Sequence, residues 1–104
     1  MSTKKKNDAL DFLDSLLGPV SFGELLVSIR TTEDVSQTAF AKRLRISKQE
    51  LCNIEKQKKW VSLERAVTFA KRLGWPPKVF AKYVLQDQLS RAGLKGEISI
   101  EDVA

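Results

Sequence analysis

The sequence predicts an all-α fold, a compact domain of five helices with a short extra helix before it. Apolar residues recur every three or four positions, as they do along the buried face of a helix, and Phe40, Ala41 and Leu44 form one such group. Serines precede several of these groups, where a hydroxyl can accept from the free backbone N–H groups of a helix start. Gly74 and Gly93 follow the last apolar residues of two groups and mark helix ends.

The same patterns divide the 104 residues into three parts. Residues 1–20 hold a basic leader and a short amphipathic helix over 8–17. Residues 21–92 form the helical domain, and residues 93–104 form a C-terminal tail with a weak strand signal. The helix over 8–17 has two interpretations. It packs on the domain, or it binds a partner protein or a second copy of the chain.

Five helices are expected within the domain, over about 21–30, 37–44, 48–55, 63–73 and 77–92. Four of them begin after a serine suited to the N-cap, namely Ser21, Ser36, Ser47 and Ser62. Two of these serines have a glutamate three residues later, the pattern of a capping box. Trp60 and Trp75 are expected in the core or at its edge, because large aromatic side chains are usually buried.

The stretch between the second and third helices, around residues 44–46, is long enough only for a turn, and this pattern predicts a helix-turn-helix. Two helices this short need partner helices on both sides to bury their apolar faces. Over about residues 22–73 this pattern resembles the helix-turn-helix of lambda-repressor and Cro proteins, the XRE family. Gln37 opens the motif, the small Ala41 lets the helices cross closely, and Glu55 followed by Lys58 resembles the family's ending. Five buried apolar positions are filled by Phe40, Leu44, Ile46, Leu51 and Ile54.

The resemblance implies further roles. Arg30 matches the family's first-helix arginine, which pairs with the glutamate that is Glu55 here, and Gln37 would lie at the phosphate backbone and brace the first residues of the recognition helix. Two positions depart from the family. Arg45 stands where the turn glycine is usual, and Gln57 where a glycine usually follows the recognition helix. A non-glycine residue in a left-handed conformation costs about 1 kcal/mol, so the chain either tolerates that strain or has a different turn.

Positive charge is concentrated on the helix-turn-helix motif and its flanks. The net charge is +5, but residues 42–72 hold ten Lys and Arg against three acids, whereas the rest holds eight against ten. A basic surface predicts an anionic partner. The alternative is a lysine-rich surface that is only solvated.

The outward residues of the recognition helix fit double-stranded DNA. Lys donates to guanine O6 and N7, and Gln or Asn pairs with adenine N6 and N7, so base contacts are expected from Lys48, Gln49 and Asn53. Phosphate contacts, which position a protein without reading sequence, are expected from Gln37, Arg43, Ser47, Lys56, Lys58 and Lys59. Glu50 could accept from cytosine N4, although capping is sufficient to explain it. Cys52 is interpreted as a small apolar residue rather than an oxidation sensor.

The last helix has two apolar faces, and only one of them can pack on the domain. Ala81, Leu85 and Leu89 lie on the second face, and we expect them to form the interface of a homodimer. The alternative is that the helix over 8–17 covers this face within one chain.

The resemblance implies a sequence-specific DNA-binding transcriptional regulator, a repressor that binds a two-fold operator. The small size and the short extra segments favour an autoregulating antitoxin, with residues 8–17 or 94–104 binding a toxin. The alternatives are a phage-type or stand-alone repressor without a toxin partner, and a protein-binding adaptor that no longer reads DNA.

Other function classes find little support in the composition. With no histidine, a single cysteine and no phosphate-binding loop, we expect no enzyme activity, no cofactor and no metal site. No apolar run approaches the roughly 20 residues of a membrane span, so no membrane association is expected. Asp8, Asp11 and Asp14 interrupt the apolar residues after the leader, which argues against a signal peptide and for a cytoplasmic protein.

Overall fold

A computed structural model describes residues 21–94, and this part of the chain is all-helical, without a strand. The helices are α1 (Phe22–Thr32), α2 (Gln37–Leu44), α3 (Lys48–Glu55), α4 (Leu63–Leu73) and α5 (Pro77–Arg91). The predicted all-α class with five helices in the domain is confirmed. The helix expected over 8–17 and the strand signal in the tail lie outside the described residues.

Local capping chemistry places the starts of the first four helices. The hydroxyls of the four predicted N-cap serines each accept from the backbone N–H three residues later, at 3.0–3.1 Å, and these serines are Ser21, Ser36, Ser47 and Ser62. Each bond satisfies one N–H group that the helix cannot pair internally. α5 instead begins with Pro77 in its first turn, where the missing N–H costs nothing.

The core lies where the five helices meet. α4 packs along α5, α1 packs on α3 and α5, and α2 packs on α3 and α4. Every helix contributes at least one fully buried side chain, and the largest of these are Phe40, Phe69, Phe80, Leu25, Leu26, Leu44, Leu51, Ile54 and Val84. The inner face of α3 is therefore held between α1 and α2.

The contact between α1 and α3 is unusually close at Gly23. A Cβ atom at this position would lie 2.3 Å from the backbone oxygen of Ile54. Only glycine lets the two backbones approach this far. Gly23 thus sets the depth at which α1 supports α3, a role that the sequence analysis did not assign.

The two tryptophans have different environments. Trp75 is 8% exposed and belongs to the core, as expected, whereas Trp60 is 45% exposed. The expectation for Trp60 was wrong, since this residue lies in the connection between α3 and α4 and is exposed. The guanidinium carbon of Arg91 lies 4.1 Å from the ring centroid, which is a cation–π contact.

The turn between α2 and α3 keeps the geometry that usually requires glycine. Arg45 has φ 61° and ψ 42°, and Gln57, after α3, has φ 62°. The chain therefore tolerates the left-handed conformation at both positions, at a cost of about 1 kcal/mol each. Arg72 on α4 compensates at the turn, since its Nη1 donates to the backbone oxygen of Leu44 at 2.7 Å.

The second apolar face of α5 is partly covered. Phe80 and Val84 are buried, whereas Ala81, Leu85 and Leu89 are half-buried within the described residues. A homodimer through these three side chains stays a prediction. None of the helices in residues 21–94 has the length and apolarity needed to cross a membrane.

Candidate nucleic-acid interface

The outer face of α3 carries the three side chains expected to contact bases. Lys48 and Gln49 are exposed in its first turn, and Asn53 follows one turn later, half-buried. Gln49 Nε2 donates to Asn53 Oδ1 at 3.2 Å. The fold brings the two amides together on one face, while Leu51 and Ile54 point into the core.

A buried carboxylate anchors the end of α3 to α1 and α2. Arg30 donates to Glu55 through Nε at 2.8 Å and through Nη2 at 3.2 Å, so the predicted pair is present. Gln37 Nε2 also donates to Glu55 Oε1, at 2.8 Å. The side chain of Gln37 is thus bound to the last residue of α3, not to the first residues of the helix as the resemblance implied.

Glu50 is an acid in the first turn of α3, and two cations neutralise it. Arg65 Nη1 lies 2.6 Å and Lys59 Nζ 2.5 Å from Glu50 Oε2. The hydrogen bond from Arg65, followed by that from Lys59, lowers the pKa of the Glu50 carboxyl to about 2. The same contact raises the pKa of Arg65. Lys59, expected at phosphate, is therefore engaged with Glu50, and the ionised carboxylate ties α3 to α4.

Arg43 has a weaker attachment. Its Nη1 lies 3.1 Å from Glu33 Oε1, and both side chains are about one-third exposed. Exposed pairs of this kind contribute little to stability. Arg43 can therefore exchange Glu33 for a phosphate at small cost.

Unpaired positive charge surrounds α3. Six exposed cations of the basic region have neither an ion pair nor a side-chain hydrogen bond within residues 21–94, namely Lys42, Arg45, Lys48, Lys56, Lys58 and Lys71. They belong to the end of α2, the turn, the start of α3, the connection after α3 and the end of α4. Basic side chains thus occur on both sides of the recognition helix along the chain.

Sequence reasoning missed three residues that hold this surface together. Arg65 neutralises Glu50, Arg72 binds the turn, and Gly23 admits α1 against α3. Arg65 and Arg72 act over 15 and 28 residues of chain, so no local spacing announces them. Cys52 is half-buried on α3.

Comparison of the chain with protein-family models, with curated proteins and with solved structures gives no match. A function is therefore inferred from the motif residues and from the geometry around α3.

Proposed function

We propose that this protein is a sequence-specific DNA-binding transcriptional regulator, a repressor that inserts α3 into the major groove. The observation that carries the proposal is the outer row of Lys48, Gln49 and the half-buried Asn53 on a helix whose other face packs on α1 and α2. A helix with its side chains is about 10–12 Å wide, and the major groove of B-DNA is about 12 Å wide. The size and the side-chain chemistry both suit the groove.

The three side chains have separable roles. Lys48 is placed to donate to guanine, and Gln49 to pair with adenine. The hydrogen bond from Gln49 to Asn53 orients the Gln49 amide before DNA arrives. Such preorganisation lowers the entropy lost when a base contact forms.

Phosphate contacts flank the groove. The unpaired Lys56 and Lys58 follow α3 directly, and Ser47 opens it, where the helix N-terminus favours an anion. Arg43 joins them by exchanging Glu33 for phosphate. Gln37 and Lys59 are also proposed to contact the phosphate backbone of DNA. They contribute less to affinity than the unpaired lysines, because each already binds a carboxylate.

The narrower form of the proposal concerns partners. The protein acts in the cytoplasm as a homodimer through Ala81, Leu85 and Leu89, and as an autoregulating antitoxin whose toxin binds residues 8–17 or 94–104. Co-purification with the product of the adjacent gene tests the toxin. A repressor without a toxin partner is the alternative if no such complex forms.

Fluorescence anisotropy tests the central proposal. A labelled duplex from upstream of the protein's own gene is compared with a scrambled duplex at two salt concentrations. We expect tighter binding to the native duplex, and we expect Lys48→Ala/Gln49→Ala to lose that preference, because a good bidentate base contact contributes about 1–3 kcal/mol of discrimination. The matched control is Lys78→Ala/Gln88→Ala, which removes the same side-chain types from exposed positions on α5.

One result would overturn the proposal. If the folded Lys48→Ala/Gln49→Ala variant and the wild type bind both duplexes equally, weakly and with strong salt dependence, only non-specific electrostatic attraction operates. The function would then be that of a protein-binding adaptor.

A further inference from the structure

Three large apolar side chains are exposed in the part of the chain that the structure describes. Within residues 21–94 these are Trp60, 45% exposed, Leu63, 38% exposed, and Leu94, 58% exposed. The stacking of Arg91 on Trp60 brings the end of α5 to the connection that precedes α4. Leu63 and Leu94 each lie three residues from one member of that stacked pair. We call these three apolar residues the Trp60 patch.

A cavity of about 180 Å³ adjoins the patch. Its wall includes Trp60, Arg91, Asp87 and Ser21. The other lining residues, Gln57, Gln86 and Ser90, are polar, so Trp60 supplies the apolar part of the wall. The carboxylate of Asp87 is already bound, since its Oδ2 accepts from the backbone N–H of Phe22 at 3.0 Å. Arg91, in contrast, is an exposed cation at the rim.

Both ends of the described chain lie at this surface, because Ser21 lines the cavity and Leu94 belongs to the patch. Residues 8–17 reach Ser21 through only three residues, 18–20. Four extended residues span at most about 14 Å, so this short connection tethers the segment to the cavity wall at Ser21. A segment on so short a tether can reach the patch within the same chain.

The segment matches the patch in apolar content and complements the charge of Arg91. Within residues 8–17 there are five large apolar side chains and three acids, and the apolar ones are Leu10, Phe12, Leu13, Leu16 and Leu17. A helix of this length is not stable alone and needs a surface to cover its apolar stripe. The other terminal segment, 95–104, has only Ile98, Ile100 and Val103 as large apolar residues. Residues 95–104 therefore offer the Trp60 patch fewer apolar side chains than residues 8–17 do.

We propose that residues 8–17 dock in cis on the Trp60 patch, with their apolar stripe against Trp60 and an aspartate beside Arg91. A partner protein that captures the segment then uncovers Trp60. The proposal is independent of DNA binding, since it uses the end of the bundle formed by α4 and α5 and the start of α1.

Tryptophan fluorescence of the full chain tests this docking. Leu13→Asp should shift the emission of Trp60 to longer wavelength and increase its quenching by acrylamide. Ser15→Asp, which adds the same charge on the polar side of the segment, should change neither. Trp75 is buried in the core and provides a constant background. In a Trp60→Phe chain, Leu13→Asp should have no spectral effect.

Three outcomes would overturn the proposal. Identical spectra for Leu13→Asp and the wild type would show that the segment does not cover Trp60. A spectral shift on removal of residues 95–104, and not on Leu13→Asp, would identify the tail as the occupant. A wild-type dimer that Leu13→Asp converts to a monomer in sedimentation velocity, together with a shift on dilution of the wild type, would mean that the segment docks on a second copy.

Discussion

Glu55 is a charged residue inside the core, 8% exposed, and three hydrogen bonds from Arg30 and Gln37 hold its carboxylate. We expect Arg30→Ala to lower the free energy of unfolding by about 3 kcal/mol, because loss of one partner leaves a buried charge incompletely compensated. Urea denaturation measures this loss. Arg43→Ala removes an arginine whose pair with Glu33 is exposed, and it should cost less than about 1 kcal/mol. Equal losses in the two variants would show that the buried pair has no special role.

Glu50 makes stability depend on pH. Its folded-state pKa of about 2 lies below the ordinary value of 4.5, so the ion pairs stabilise the protein above about pH 4.5 and lose their effect as the pH falls towards 2. We expect Glu50→Gln to lower the free energy of unfolding at pH 7 by about 1 kcal/mol, a modest loss because the pairs are partly exposed. Near pH 2, where the Glu50 carboxyl is about half protonated, denaturation should show a much smaller difference from the wild type. Glu64→Gln, at an exposed position on α4, is the control and should change neither value. A deficit in Glu50→Gln that is as large near pH 2 as at pH 7 would exclude the ion pairs as its cause.

At the scale of helices, the close approach of α1 to α3 sets the position of α3. Gly23→Ala places a Cβ within 2.3 Å of the Ile54 backbone oxygen, so the two helices must separate. We expect a loss of about 1–3 kcal/mol, the range for overpacking a core, and weaker DNA binding because α3 shifts. Thermal denaturation and anisotropy measure both effects. Thr32→Ala, exposed at the end of α1, should leave both unchanged, and an equally stable Gly23→Ala would show that the contact relaxes freely.

The helices themselves were predictable because their signals are local. The four N-cap serines and the apolar spacing place the starts of α1 to α4 without tertiary information. What was not predictable depends on contacts distant in sequence. Gly23 has no local reason to be glycine in a helix, and the contact of the Trp60 ring with Arg91 joins residues that are distant in sequence. Composition alone would bury both tryptophans.

For the whole molecule, the concentration of positive charge on the motif was visible in the sequence, but its division between paired and unpaired cations was not. Lys59 and Arg65 neutralise Glu50, while Lys56 and Lys58 have no acidic partner within residues 21–94. The pairing depends on how the chain folds back from α4 to α3. The positive charge that is free to bind an anion is therefore smaller than the count of basic residues suggests.

The salt dependence of the proposed DNA binding tests whether Lys56 contacts phosphate and how many protomers bind one operator. Each phosphate contact contributes about 0.9 to the slope of log affinity against log salt. Lys56→Gln should reduce the slope by about 1.8 if two copies bind one operator, since the substitution is then present twice, and by about 0.9 for a single copy. Anisotropy titrations at four salt concentrations measure the slope. Lys78→Gln, on α5, which packs on α1 and α4, should leave it unchanged. A change of about 0.9 would contradict the homodimer, and no change would remove Lys56 from the phosphate contacts.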